Sequence, residues 1–404
     1  MLTKVQYTRY NSAGQGNHRQ QFHTMQKITG ELIRKIILNA QGLTSGSEHQ
    51  AMKAENIIQK LGYVQLDTIH VTQRAHHHII WSRSPVYTTT QLSDLMAENK
   101  VFEYWSHAAS ILPIAAFPYT LERKKNFAWH NEITDSREFK ELLAQVYQRV
   151  QNDGALSSAD FDDKNFQLGE MWGWKLSRYA LEYLFQQGKL MVARREKFKK
   201  VYDLTERVYP ASVSISIPDQ DETAQFQIDQ ALSALGCATI KDISEFLRFA
   251  SIQSIKKIVE KYEQAGRIRP VLFNDAVYYL PEKDIELIEY QEKVMIISPF
   301  DNLIINRKRL KKIFDLDYSL ECYLPISKRK FGFFSMPLLY HDRFIGLIDL
   351  KADRTAGTLL IKRLHLFNES DAYIKKLLNI ALEEFAGFNS CVNIKFENLA
   401  SPRN

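Results

Sequence analysis

Twice in this chain a helical run stops at a glycine and two short strands follow with no linker between. The first instance passes through Gln187-Gly188-Lys189-Leu190 into strands around Val192 and from Val201 to Leu204. The second passes through Gln264-Ala265-Gly266-Arg267-Ile268 into strands around Leu272 and from Val277 to Leu280. Glycine ends a helix because it adopts the left-handed conformation at little cost. A hairpin that starts at once must fold back on the helices it leaves. Two or three helices followed by a hairpin is the winged-helix plan, in which one helix enters the major groove and the wing reaches the backbone. A third stretch, from Ile28 to about Pro85, has the helices without an obvious wing.

From Val294 the period changes to that of strands: VMIIS, LECYLPI, FGFFSMPLLY, RFIGLIDLKA and TLLIKRLHLF, with turns at SKRK, HDR and DRTAG. These runs predict a curled antiparallel sheet with basic hairpin tips. An amphipathic helix from about Ser370 to Phe385 and one last strand after Cys391 complete the pattern. The expected fold class is α+β, with tandem winged helix-turn-helix units and a C-terminal β-barrel-like element. The expected divisions are a flexible extension over 1–27, winged-helix-like units over 28–150, 151–213 and 214–290, and the β-rich element over 291–404. In the first unit, Leu32, Ile33, Ile36 and Ile37 share one helix face. A second helix runs from about Gln50 to Leu61, an extended piece from Tyr63 to Asp67, and a long helix through His70, Arg74 and Trp81. Further short helices are expected between Thr89 and Phe117.

The 404 residues are 45% hydrophobic and 25% charged, which is the composition of a globular chain of two to four domains. No run approaches the ~18 apolar residues of a membrane span, and the first residues lack a signal-peptide core. A cytoplasmic, nucleoid-associated monomer is expected. Cys237, Cys322 and Cys391 are too few and too far apart for a disulfide framework or a Cys-x-x-Cys metal site. The net charge is only +6. Its distribution is uneven: Lys293 to Arg363 holds 14 Lys or Arg against 7 Asp or Glu, a local +7, and Met191 to Lys200 holds five against one, a local +4. Basic runs interleaved with Phe198, Tyr202, Phe331, Phe333 and Phe334 suit a phosphate backbone. A solvated strand face guarded by cations fits equally well.

Phosphate-loop, dinucleotide, zinc-protease and nucleophile-elbow signatures are missing. His76, His77 and His78 cannot chelate one ion, since successive helical positions point about 100° apart; they read as surface or groove-facing side chains. Glu103 and His107, four apart, read as hydrogen-bonded neighbours on a helix. In LGYVQLDTI, Gln65 and Asp67 flank Leu66, and in an extended segment they would project together while Leu66 is buried. An Asp or Thr just before a helix is also a routine N-cap.

The surrounding segments resemble the AlkZ/YcaQ family of winged-helix DNA glycosylases. Those segments are NAQGL at 39–43, LGYVQLDTI with RAHHHIIWSR at 61–83, EYWSHAASILP at 103–113, RREKFKKVYDLTERVYP at 194–210, SPFDNLIINRKRLKKIFDLDYSLECY at 298–323 and GLIDLKADRTAG at 346–357. The resemblance implies tandem winged helices and a barrel-like element cradling DNA around a Gln-apolar-Gln or Gln-apolar-Asp motif. Here that motif is Gln65-Leu66-Asp67, the form of the YcaQ branch. It implies a monofunctional glycosylase that excises N7-alkylated purines from double-stranded DNA and unhooks interstrand crosslinks, without cofactor or metal. Ordinary glycoside hydrolysis uses two carboxylates. An N7-alkylguanine already carries a positive charge and leaves without an acid, so one carboxylate and one amide suffice. Asp67 is assigned to stabilise the sugar cation and activate water, and Gln65 to hold that water or the sugar. No lysine stands beside the motif, so no Schiff-base lyase step is expected. His107 is a candidate supporting hydrogen bond. Arg194, Arg195, Lys199, Lys328, Arg329, Lys330, Arg343 and Arg354 are candidate phosphate contacts. The competing reading is a winged-helix transcriptional regulator without hydrolytic activity.

Overall fold

The computed structural model describes residues 3–8, 22–44, 52–129, 134–161, 176–209, 214–282, 288–368 and 372–397. They form two compact units, one built from 1–87 with 224–404 and the other from Thr88–Thr223, which is inserted between those two stretches.

The chain opens with an antiparallel pair, β1 (Thr3–Thr8) and β2 (Phe22–Lys27), where an extension without regular structure was expected. Val5 and Tyr7 in the first strand and Phe22 and Met25 in the second are too few apolar residues to announce strands. Helix α1 (Gly30–Ala40) starts at Thr29, whose Oγ1 accepts from the Leu32 N–H at 3.3 Å, and buries Ile33, Ile36, Ile37 and Leu38. Helix α2 (Ala54–Leu61) leads into β3 (Val64–Gln65), and the start expected near Gln50 lies outside the described residues. Helix α3 spans only Ala75–Trp81 and excludes His70 and Arg74 from the helix expected there.

The inserted unit begins with α4 (Thr89–Ala97). The segment EYWSHAASILP is not helical: β4 (Val101–Trp105) and β5 (Ala109–Pro113) form a hairpin, because the β-branched and aromatic residues pack across a two-residue period. Then come α5 (Leu121–Lys125), α6 (Arg137–Asp153), α7 (Leu176–Gln186), β6 (Leu190–Glu196), β7 (Lys199–Leu204) and α8 (Thr205–Val208). The division expected after residue 150 falls within α6. Phe139, Leu142, Val146 and Val150 of α6 are buried along with Ala180, Leu181 and Leu184 of α7.

The larger unit resumes with α9 (Gln220–Leu235), α10 (Ile240–Phe246), α11 (Ile252–Gln264), β8 (Ile268–Phe273) and β9 (Ala276–Pro281). Both repeats thus show the expected order of helix, glycine and hairpin, with Gly188 at φ +72° and Gly266 at φ +63°. Strand β2 pairs in parallel with β8, giving a four-stranded sheet in the order β1-β2-β8-β9.

The last part holds β10 (Val294–Ile296), α12 (Arg307–Phe314), β11 (Ser335–Tyr340), β12 (Arg343–Asp353), β13 (Thr358–Leu366), α13 (Ala372–Phe388) and β14 (Asn393–Phe396). These strands form one sheet in sequence order, antiparallel except for the β13-β14 pair. Register shifts at Leu338/Leu339 and Asp349/Leu350 curl it, since a bulge adds local bend and twist. LECYLPI is not a strand: Glu321–Tyr323 and Ile326–Lys328 are two separate 3-10 turns around Pro325. One core joins α1 and α12 to β8 and β9, and a second joins β10 to β13 with α13. Among the described residues no helix is long and apolar enough to cross a membrane.

Candidate active site

Gly62 ends α2 at φ +73°, and a side chain there would meet Phe246 Cε1 at 3.1 Å, so only glycine turns the chain here without strain. The turn is clamped from outside. The Asn302 amide donates to the carbonyls of Leu61, at 3.2 Å, and Tyr63, at 3.1 Å. Its neighbour Asp301 accepts two hydrogen bonds from Arg83, at 2.7 and 2.9 Å, with both side chains at most 1% exposed. Arg83 also donates to the carbonyls of Gln41, at 2.7 Å, and Ile79, at 2.9 Å. One buried loop therefore ties the ends of α1, α2 and α3 to the strand that carries Gln65. Sequence reasoning gave Gln41, Arg83, Asp301 and Asn302 no role. Only Asp301 and Asn302 carry a signal, as polar side chains between Phe300 and the apolar run from Leu303, which in a folded core must find partners.

Beyond Gln65, itself buried, Leu66 is buried as expected and Asp67 is half-buried. The Asp67 carboxylate accepts the backbone N–H of Ile69 at 2.7 Å. It does not cap a helix: α3 begins eight residues later, and its N-cap residue is Arg74. The routine explanation of this aspartate therefore fails, and its carboxylate sits on a loop. That loop is braced along its length. Arg74 donates to the Thr68 carbonyl at 2.7 Å, Ala352 N–H to the Val71 carbonyl at 2.8 Å, and Gln73 N–H to Asn389 Oδ1 at 2.6 Å. Burial raises the Asp67 pKa, against the opposing pull of the Ile69 N–H and the Arg74 charge. The His70 pKa is lowered by burial and by the charges of Arg354 and Arg74. Partial loss of hydration also pushes up the Cys322 thiol and the largely exposed Tyr323 phenol, and the Asp67 charge adds to both. Arg74, Cys322 and Tyr323 thus lie within electrostatic reach of Asp67, and Arg74 and Arg354 within reach of His70.

The histidine run differs from its expected surface position. His76 and His78 are buried, with His78 Nε2 2.8 Å from the Ile296 carbonyl, and His77 Nδ1 lies 2.8 Å from the Tyr87 hydroxyl. Burial pulls the pKa of His77 and of His78 down to about 4, so both are neutral and act as packing and hydrogen-bonding groups. Among the described residues no three His, Cys, Asp or Glu side chains converge as a metal would require.

Glu103 does not pair with His107. It lies on β4 and takes a bidentate bond from Arg195 of β6, at 2.5 and 2.8 Å, so Arg195 is held inside the fold. His107 sits in the β4-β5 turn with Nδ1 3.2 Å from Ser106 Oγ, and Arg123 holds that turn through the Trp105 and Ser106 carbonyls. Arg194 pairs with Glu196 at 2.7 Å, whereas Lys199 is exposed. In the larger unit Arg329 donates to the Leu324 carbonyl at 2.8 Å, while Lys328, Lys330 and Arg343 are exposed. Arg354 reaches Asn389 Oδ1 at 3.5 Å, beside the Asp67 loop.

Asp67 is thus a half-buried carboxylate on a loop, with the Arg74 charge beside it. The chain belongs to the AlkZ-like DNA glycosylase family, whose description, DNA glycosylase AlkZ-like, matches residues 58–388. Its fold is similar to that of the Streptomyces sahachiroi DNA glycosylase AlkZ, with a TM-score of 0.62 at 15% identity over 92% of this chain and 100% of that one. Membership selects the DNA-acting enzyme over the regulator without activity.

Proposed function

We propose that Gln65 and Asp67 are the catalytic pair, and that the enzyme hydrolyses the N-glycosidic bond of N7-alkylated purines in duplex DNA and unhooks interstrand crosslinks. The observation that carries this reading is the position of Asp67, fixed by the Ile69 N–H at 2.7 Å on a braced loop rather than spent on a helix cap. In the reaction the bond between C1′ and N9 breaks with its electron pair going to the base, which cancels the positive charge of the alkylated ring. The sugar becomes cationic, and in this reading the Asp67 carboxylate stabilises that charge. A water then bonds to C1′ and passes its proton to Asp67, leaving an abasic site. The raised pKa of Asp67 favours that transfer, because a carboxylate that holds its proton more tightly is the better base. The Gln65 amide orients the water or the sugar.

The same reading makes the helix and hairpin repeats winged helices that grip the duplex, with Lys199, Lys328, Lys330, Arg343 and Arg354 on phosphates. Arg194, Arg195 and Arg329 are spoken for by Glu196, Glu103 and the Leu324 carbonyl, and contribute less. A base tied to the opposite strand cannot swing into a closed pocket, so an open, loop-borne carboxylate suits a crosslink. The test is base release from duplex DNA containing N7-methylguanine, and strand separation of a nitrogen-mustard crosslink. Wild type should do both and Asp67→Asn neither; an Asp67→Asn variant as active as wild type removes the assignment.

A further inference from the structure

Residues 321–334 take no part in the bond changes above, and apart from the phosphate contacts of Lys328 and Lys330 they are unassigned, yet they are built as a rigid projection. The buried Glu321 carboxylate accepts the N–H groups of Phe331, at 2.8 Å, and Gly332, at 3.2 Å. The buried Asp349 carboxylate of β12 accepts the next two, those of Phe333 at 2.7 Å and Phe334 at 3.2 Å. Arg363 of β13 donates to the carbonyls of Arg329 and Lys330 at 3.2 and 3.0 Å. Gly332 stands at φ +128°, and a side chain there would fall 2.2 Å from Asp349 Oδ2, so the carboxylate reaches the backbone only past a glycine.

What this frame presents is apolar. Tyr323 is 79% exposed, Ile326 78% and Leu324 39%. Three large apolar side chains held out in water by a fixed backbone, within four residues, need a partner to cover them. The chemistry of that partner follows from the flanks. From Cys322 to Lys330 the segment CYLPISKRK has three cations and no acid, which suits an anion. The patch also lies within electrostatic reach of the Asp67 carboxylate, whose charge is felt at Cys322 and Tyr323. An aromatic and an aliphatic side chain beside lysines, next to a group that acts on a nucleoside, match the way apolar wedges enter a base stack while cations hold the phosphates.

We propose that Tyr323, with Ile326 beside it, is inserted into the base stack next to the damaged nucleotide, with Lys328 and Lys330 on the flanking phosphates. Stacking there keeps the lesion's sugar in front of Asp67 even when the base stays linked to the other strand. This inference rests on the reading of Asp67 as the catalytic carboxylate, and the two are separable by experiment.

The probe is a duplex with a tetrahydrofuran abasic analogue beside 2-aminopurine, whose fluorescence reports unstacking and needs no hydrolysis. Saturating full-length wild type should change the fluorescence roughly twofold or more, and Tyr323→Phe should keep that change. Tyr323→Ala and the double variant with Ile326→Ala should lose it, bind the duplex roughly 5- to 100-fold more weakly, as loss of one base–aromatic stack requires, and release N7-methylguanine slower by a similar factor. Asp67→Asn should abolish release and keep the fluorescence change. If Asp67→Asn still releases base, the site reading fails while the fluorescence still judges Tyr323. If Tyr323→Ala changes the fluorescence as wild type does, the wedge is wrong, and the patch is then a contact for a protein or a second copy.

Discussion

A carboxylate and an amine, in different units of the molecule, show how burial sets chemistry one residue at a time. Asp67 has its pKa raised by burial, so it protonates at a pH above the 3.8 of an ordinary aspartate. If it acts as a carboxylate, single-turnover base release should fall as pH drops through that raised value, and the acid limb should lie higher than for a solvated aspartate. Asp67→Asn should lose roughly 10²–10⁴ in rate, the usual worth of a positioned base, above that value, with the gap narrowing below it. Lys124 is the opposite case. It is buried, its ammonium lies 3.8, 4.5 and 5.4 Å from the ring centres of Phe117, Tyr104 and Phe102, and burial pulls its pKa down to about 7. The rings offset only part of the lost hydration. Between about 7 and the ordinary 10.5 the unfolded chain binds more protons than the folded one, so this residue makes stability rise with pH across that window. Lys124→Met should therefore melt a few degrees above wild type below pH 7, with the gap closing as pH approaches 10. A gap that stays constant with pH would show that the lysine is not the titrating group.

The site is assembled by elements far apart in sequence, and the loop after β10 carries the connection. Asn302 satisfies two carbonyls on either side of Gly62, the turn that aims β3 and with it Gln65. Asn302→Ala leaves those carbonyls without their buried donor, a cost of about 1–3 kcal/mol. Its base-release rate should fall by more than any change in DNA affinity, and a variant with wild-type rate and lowered melting temperature would confine the clamp to stability. This level also separates what the residues made legible from what they did not. The α1 face, both helix–glycine–hairpin repeats and the late strands other than LECYLPI are local patterns of period 3.6 or 2, and they stand where the pattern put them. The β4-β5 hairpin, the short α3 and the two turns at 321–328 depend on partners elsewhere. Glu103 needs Arg195, 92 residues away, and Glu321 turns inward for the backbone of Phe331. For Asp67 the spacing alone favoured a helix cap over a site. The motif's surroundings favoured a site, and the position of α3 removed the cap.

For the molecule as a whole, charge decides how the enzyme meets DNA, and folding redistributes what the composition offers. Of the cations between Lys293 and Arg363, Arg309 is buried against Asp242 at 2.8 Å, Arg307 is folded onto the carbonyls of Ile304 and Pro299, and Lys311 pairs with Asp315 at 2.7 Å. These hold the protein together and are already neutralised or enclosed, so they displace few counterions from a duplex. Lys328 and Lys330 are exposed, with no acid in the segment around them. Log affinity falls with log salt in proportion to the phosphates neutralised, about 0.9 per contact. Lys328→Gln with Lys330→Gln should therefore flatten the salt slope by about two while leaving the melting temperature near wild type. Arg309→Met should do the reverse, lowering stability because Asp242 is left without its buried partner, with the slope unchanged. Measuring Kd on an undamaged duplex from 50 to 200 mM salt for both variants separates the two roles. Equal slopes for all three proteins would mean that the +7 of this region serves the fold alone.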